Sequence, residues 1–241
     1  MGKALSFLGE NSFREFVISD DFTNYASAQL WTSLAADAGT SVAAADAAGG
    51  TVVLTTGATD NNECTVATTK EMFKYAAEKP FFGKARLQYT EANTDDANVA
   101  FGFADAAGSA NVIVDNGAGM KASYSGAVVF KVDGGTVWKC QTSIGGTQKT
   151  TDSVETAGGA SYQTLAILVE PVGATVADVS FHIDPEGGFN FRPMKDANGL
   201  AIKHRVTFSG ATEMNLFIGA KAGSANSEVV NVDYLYARGI R

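Results

Sequence analysis

The pattern that most restricts this chain lies in residues 213–238. Met214, Leu216, Ile218 and Ala220 alternate there with Asn215, Phe217, Gly219 and Lys221; after a Gly/Ser/Asn turn, Val230, Val232, Tyr234 and Tyr236 alternate in the same way. A period of two marks a strand with one buried face, because successive side chains of an extended chain point to opposite sides. Two such strands need a second sheet to hide that face from water. The pattern therefore predicts that this end of the chain is the seam of a β-sandwich, with Val230, Val232, Tyr234 and Tyr236 sharing a face.

Strand signals recur upstream. Residues 51–56, 63–68, 84–90, 98–104 and 111–114 are short and rich in β-branched or alternating apolar side chains, and Gly, Asp or Asn punctuates them. Residues 127–141 form the clearest hairpin, with Asp133, Gly134 and Gly135 supplying its tight turn. Residues 164–170 are continuously apolar, as a strand covered on both faces requires. Val179, Phe181 and Ile183 are expected inward, and Ser180 and His182 outward. Residues 202–208 re-enter the sheet. Residues 69–78 have the one helical spacing, with Met72, Phe73 and Ala76 on one side and Pro80 as a stop. Two stretches read as irregular: 35–50 as a loop or weak strand, and 144–161, rich in Gly, Thr, Ser and Gln, as a long surface loop. The fold class is all-β: a two-sheet antiparallel β-sandwich of the jelly-roll kind, with at most one short helix.

A sandwich of this length is ordinarily one domain. It is expected over residues 19–241, where Asp20, Asp21 and Phe22 begin it and Trp31 closes a short loop. Residues 1–18 form an N-terminal arm. The arm carries Leu5, Phe7, Leu8, Phe13, Phe16, Val17 and Ile18, more large apolar groups than a free tail should expose. It is expected to dock, on its own chain or on a neighbouring subunit or larger assembly.

Eighteen basic against 26 acidic residues give a net charge of −8. Nucleic acid and anionic membranes bind through basic faces that displace counterions, so neither partner is expected. No run approaches the roughly 18 apolar residues of a spanning helix, and the opening residues lack a secretory apolar core, so a chain made in the cytoplasm is expected. Cys64, Cys140, His182 and His204 have no zinc-ligand spacing. Two isolated thiols are expected, a single disulfide stays open, and no cofactor is implied. The two histidines read as surface residues.

Several phrases fall in a familiar order. These are Asp20-Asp21-Phe22 with Trp31, the 50–54 strand, Ala100-Phe101-Gly102-Phe103-Ala104-Asp105, Phe181-His182-Ile183-Asp184, and Asn231-Val232-Asp233-Tyr234-Leu235. Their order resembles that of concanavalin A-like jelly rolls of the laminarinase and lectin type. Ala222-Gly223-Ser224-Ala225 together with Val232-Asp233-Tyr234-Leu235 and a basic last residue further resembles tailed-bacteriophage structural proteins, notably capsid decoration or cement proteins. The resemblance spans about residues 20–241 and rests mostly on strand-and-turn grammar.

Glycosidases of this fold carry a Glu-x-Asp-x-x-Glu strand whose carboxylates act as nucleophile and acid/base. The nearest match here is Thr150, Asp152 and Glu155, with Thr150 in the place of the nucleophile. Asp95, Asp96, Asn93 and Asn98, and likewise residues 60–63, offer oxygen ligands of the type Ca²⁺ takes but read as solvated loops. No nucleophile elbow or phosphate-binding loop occurs. Phe189, Phe191 and Arg192 form a possible ligand or interface loop, able to stack on a sugar ring or pack against a partner.

The expected function is that of a non-enzymatic virion protein. It would be a capsid decoration protein on the outer shell, made in the host cytoplasm, whose Leu5, Phe7, Leu8, Phe13 and Phe16 contact the major capsid protein or sister subunits, with a homo-oligomer, first of all a trimer, expected. The alternative is a carbohydrate-binding module or receptor-binding fibre domain.

Overall fold

The computed structural model describes residues 14–26, 28–35, 37–91, 93, 95–105, 107, 112–188, 190–210 and 212–241. Leu5, Phe7, Leu8 and Phe13 of the expected arm, and Phe189, lie outside the described residues. Among those described there is no helix, hence none long and apolar enough to cross a membrane.

Nineteen strands are present among the described residues. The first six are β1 (Glu15–Asp20), β2 (Trp31–Ala35), β3 (Ser41–Ala45), β4 (Thr51–Thr55), β5 (Glu63–Thr68) and β6 (Phe73–Lys74). Then come β7 (Phe81–Thr90), β8 (Ala97–Ala104), β9 (Ile113–Val114), β10 (Gly119–Met120), β11 (Gly126–Lys131), β12 (Val137–Ile144) and β13 (Thr147–Thr156). The last six are β14 (Gly159–Pro171), β15 (Val176–Asp184), β16 (Arg192–Pro193), β17 (Lys203–Thr207), β18 (Glu213–Ala222) and β19 (Val229–Ile240).

Seventeen of them form two facing sheets, and β9 and β10 pair with each other in a separate two-stranded sheet. The first runs β16-β15-β14-β7-β19-β4-β3, with β1 also on β19 and β17 also on β15. The second runs β13-β12-β11-β8-β18-β5-β2, with β6 also on β18. The last two strands of the chain thus lie inside opposite sheets, as the alternation at 213–238 required. Val52, Leu54, Leu87, Ile167, Phe181 and Val232 of the first sheet bury themselves against Val66, Phe101, Phe103, Val129, Leu216 and Ile218 of the second. Val179, Phe181 and Ile183 point inward as expected.

Local chemistry fixes the frame. The β11–β12 hairpin pairs Phe130 with Lys139, and Gly134 takes φ +70 at its turn. Gly102 lets β8 approach β11, since a Cβ there would lie 2.2 Å from the Ala127 carbonyl oxygen. Trp31 donates its indole N–H to Asp20 Oδ2 at 2.6 Å and packs on Phe22, closing the expected loop.

Three expectations are corrected. Residues 69–78 are not helical: β6 pairs with β18, the Met72 amide donates to the Met214 carbonyl at 2.9 Å, and Phe73 and Tyr75 are both buried. The period-two pair Phe73/Tyr75 prevailed because β18 offers a ladder to it. Residues 147–156 are strand β13, not surface loop, joined to β12 by Gly145 and Gly146 at positive φ. Its exposed threonines mimic a loop in composition, yet they are β-branched and suit an edge strand. Third, a bulge between Val232 and Tyr234 in the β19–β7 pairing puts Leu235 and Ala237 inward and turns Tyr234 and Tyr236 outward, away from Val230 and Val232. One extra residue flips every later side chain.

Residues 15–18 belong to β1, paired with β19 from Glu15↔Ile240 to Asp20↔Leu235.

Candidate functional site

A sandwich has two outer faces on which function can be built, and here they differ. The outer face of the second sheet is closed by the chain's own Ala107 and residues 112–125. Ala107, Val112, Ile113, Met120 and Tyr124 cover Ala67, Ala100, Val128, Phe130 and Phe217 in a second apolar cluster. β18 is therefore buried on both faces rather than one. Buried charge pins this cover. Lys221, 1% exposed, lies 3.5 Å from Glu63, pairs with Asp115 and donates to the Ile113 carbonyl at 2.9 Å. Elsewhere on this sheet Lys131 pairs with Glu91 and donates to the Asp95 carbonyl at 2.7 Å, anchoring the turn before β8 rather than the cover.

The outer face of the first sheet is open. The bulge at Asp233 sets Tyr234 opposite Arg86, Tyr236 opposite Lys84 and Arg238 opposite Phe82, all half-exposed. Lys84 Nζ lies 4.9 Å from the Tyr234 ring centre and 5.3 Å from that of Tyr236, and its burial lowers the ammonium pKa. Arg86 stacks 4.0 Å from the Tyr162 ring, and its guanidinium donates to the bulged Asp233 at 2.8 Å and to the Gly187 carbonyl at 2.7 Å. Arg238 pairs with Glu15, and Phe82 meets Tyr236 edge-on at 6.2 Å. Ser19, Asp21, Lys84, Tyr234 and Tyr236 surround a cavity of ≈ 300 Å³. Asp21 accepts from the Thr23 amide and hydroxyl, which hold its carboxyl below the usual range.

A third feature is an apolar corner. Phe16, Met72, Phe73, Pro80, Phe81 and Ile240 line a cavity of ≈ 200 Å³, rimmed by Lys74, Lys79 and Arg241. Met72 is 38% exposed. The Arg241 amide donates to the Arg14 carbonyl at 2.7 Å, so the described chain begins beside this corner.

The site residues expected from sequence are dispersed. Phe16 packs against Phe73 at 5.2 Å and is a wall of that corner. Phe191 is half-buried, and Arg192 donates to Glu155 at 2.7 Å, tying β16 to β13. Asp152 pairs instead with Lys139 at 2.8 Å on the surface, so Asp152 and Glu155 answer separate cations and share no site. His204 is not a surface residue. It is fully buried between the Thr142 and Thr151 hydroxyls, each 3.0 Å away, and links β17 to β12 and β13; burial lowers its pKa to about 4. His182 is half-buried beside Ser180 at 3.2 Å. Cys64 and Cys140 are free and buried, and burial pushes the Cys64 thiol up to about 12. Among the described residues no group of three His, Cys, Asp or Glu side chains is placed to hold a metal. The open face was missed because Tyr234 and Tyr236 were read in phase with Val230; the acidic Asp233 inside an apolar alternation was the available signal.

No protein-family model matches the chain, and no curated protein matches it in sequence. Solved structures do match in fold. The endo-β-1,4-glucuronan lyase of Trichoderma reesei superposes with a TM-score of 0.60 at 11% identity, over 93% of this chain and 94% of that one. The endo-1,3-β-glucanase of Streptomyces sioyaensis gives 0.58 at 13% identity, over 94% and 97%. Peanut lectin gives 0.57 at 9% identity, over 94% and 97%. The chain has the concanavalin A-like jelly-roll fold. That fold serves enzymes and lectins alike and does not choose between them.

Proposed function

We propose that this chain is a non-enzymatic structural protein of a tailed-bacteriophage virion, a capsid decoration protein that binds the assembled shell. The observation that carries the reading is the apolar corner. Met72 stands exposed at a cavity lined by Phe16, Phe73, Phe81 and Ile240, beside Arg14 where the described chain begins. Exposed apolar patches with a polar rim mark docking sites, and large apolar and aromatic side chains anchor them. The rest of the body supports a structural role. The buried carboxylates of Glu63, Glu155 and Asp178 face Lys221, Arg192, and Lys203 with Arg205, respectively, so they hold strands together. A protein that binds only the assembled shell adds its binding free energy to the cost of disassembly.

The test is sedimentation of the purified chain with capsids of the virus that encodes it. The expected result is pelleting in fixed ratio to the major capsid protein, weakened by Met72→Asp. A chain left in the supernatant rejects the reading.

A further inference from the structure

We propose that Lys221 Nζ and Asp115 Cγ form a covalent amide bond within the chain, with Glu63 carrying the protons, so that the cover is fastened to the second sheet by a bond as well as by packing. The reading is independent of shell binding and uses none of the residues of the apolar corner. Lys221 stands directly opposite Glu63 in the β18–β5 ladder and opposite Asn98 in the β18–β8 ladder. Its side chain is 1% exposed and that of Glu63 3%. The cover brings the third group, because Asp115 follows β9 and pairs with the Lys221 ammonium. One buried amine therefore answers two carboxyl groups, one 3.5 Å away within the sheet and one on the cover.

The neighbouring backbone holds these groups in place. The Ile113 amide donates to Glu63 Oε1 at 3.4 Å, while its carbonyl accepts from Lys221 Nζ at 2.9 Å. The Asn116 amide donates to Asn61 Oδ1 at 2.9 Å, and Asn116 Oδ1 accepts from Asn61 Nδ2 at 3.4 Å. Asp115 is thus bracketed by two anchored residues, and reactants already positioned need little further ordering to meet. Seclusion from water adds to this, since it favours exchanging an ammonium and a carboxylate for a neutral product. The surface pair of Lys139 and Asp152, 24% and 61% exposed, lacks that seclusion.

The reaction balances without a further reagent. Lys221 Nζ gives up two of its three ammonium protons. Glu63 takes the first and passes it to Asp115, whose carboxyl becomes a neutral acid, and the free amine then attacks Cγ. The second proton follows the same route to the same oxygen, the C–O bond breaks and water leaves. Glu63 ends as it began. Asp115, with a side chain 53% exposed, leaves the water a way out, and the N–H that remains on the amide keeps the Ile113 carbonyl as its acceptor.

The experiment is intact-mass measurement and peptide mapping of the purified full chain beside Asp115→Ala, Lys221→Arg and Glu63→Gln variants. The expected result is a wild-type chain lighter by one water than its mapped sequence, with one branched peptide joining the segments around 115 and 221. It should also run faster than the variants in a denaturing gel, because a linked chain cannot fully extend. Asp115→Ala and Lys221→Arg should show the full mass, and at most about a tenth of Glu63→Gln chains should be linked. Asp115 is half exposed, so Asp115→Ala is expected to keep the fold, which circular dichroism checks. A wild-type chain of full mass overturns the proposal and leaves an ion pair only. A water loss that Asp115→Ala retains overturns it equally, and a fully linked Glu63→Gln chain overturns the role given to Glu63.

Discussion

The two outer faces of this sandwich come from the same strand alternation and end differently. On the second sheet the outward side chains are Ala67, Ala100, Val128, Phe130 and Phe217, and Ala107 with residues 112–125 covers them, with the buried Lys221 as a pin. On the first sheet they are Phe82, Lys84, Arg86, Tyr234, Tyr236 and Arg238, amphipathic groups that keep an apolar body and a polar tip in contact with water. The difference teaches that an outward alternation can be spent on structure or kept for recognition. What decides is whether its residues tolerate solvent.

The sharpest way to break the contrast is to unpin the closed face. Lys221→Met leaves Glu63 buried without that cation and is expected to cost about 3–5 kcal/mol, read from the denaturant midpoint. Next, matched aromatic truncations compare the faces directly. Phe217→Ala is expected to cost about 3–5 kcal/mol, as a fully buried ring lost to a cavity, and Tyr236→Ala under about 1 kcal/mol. Equal losses would mean that the first face is also covered.

A smaller effect is set by pH. His204 titrates near 4 when folded and near 6.5 when unfolded, so the unfolded chain takes up the proton first. Stability is then complete above about 6.5 and declines as pH falls towards 4, by roughly 1–3 kcal/mol. His204→Gln should flatten that stretch of the pH–stability curve. The smallest change is expected for Arg192→Ala, about 1 kcal/mol, because Arg192 is largely exposed although Glu155 is not. A thermal scan in which this variant matched Lys221→Met would show that the ion pairs at the edge and beneath the cover do equal work.

Much of the frame was legible in residues. The alternation at 179–183, the Asp133–Gly134 turn and the Asp20–Trp31 opening behave as read, because each is set by neighbours in sequence; the alternation at 214–220 marked a strand but not that both of its faces would be buried. The helical reading of 69–78 failed when β18 supplied a partner, and β13 was hidden by its polar threonines.

The candidate face was less legible still. A bulge is a property of pairing, and nothing local states that Asp233 will lose its partner across the ladder. The sequence by itself determined an all-β chain with two sheets to bury, since period two admits few other solutions. Only the tertiary structure decided that Ala107 and residues 112–125 would cover one face and that Tyr234 and Tyr236 would stand on the other. Both outcomes depend on contacts between strands far apart in the chain, whose register and cover no local pattern encodes.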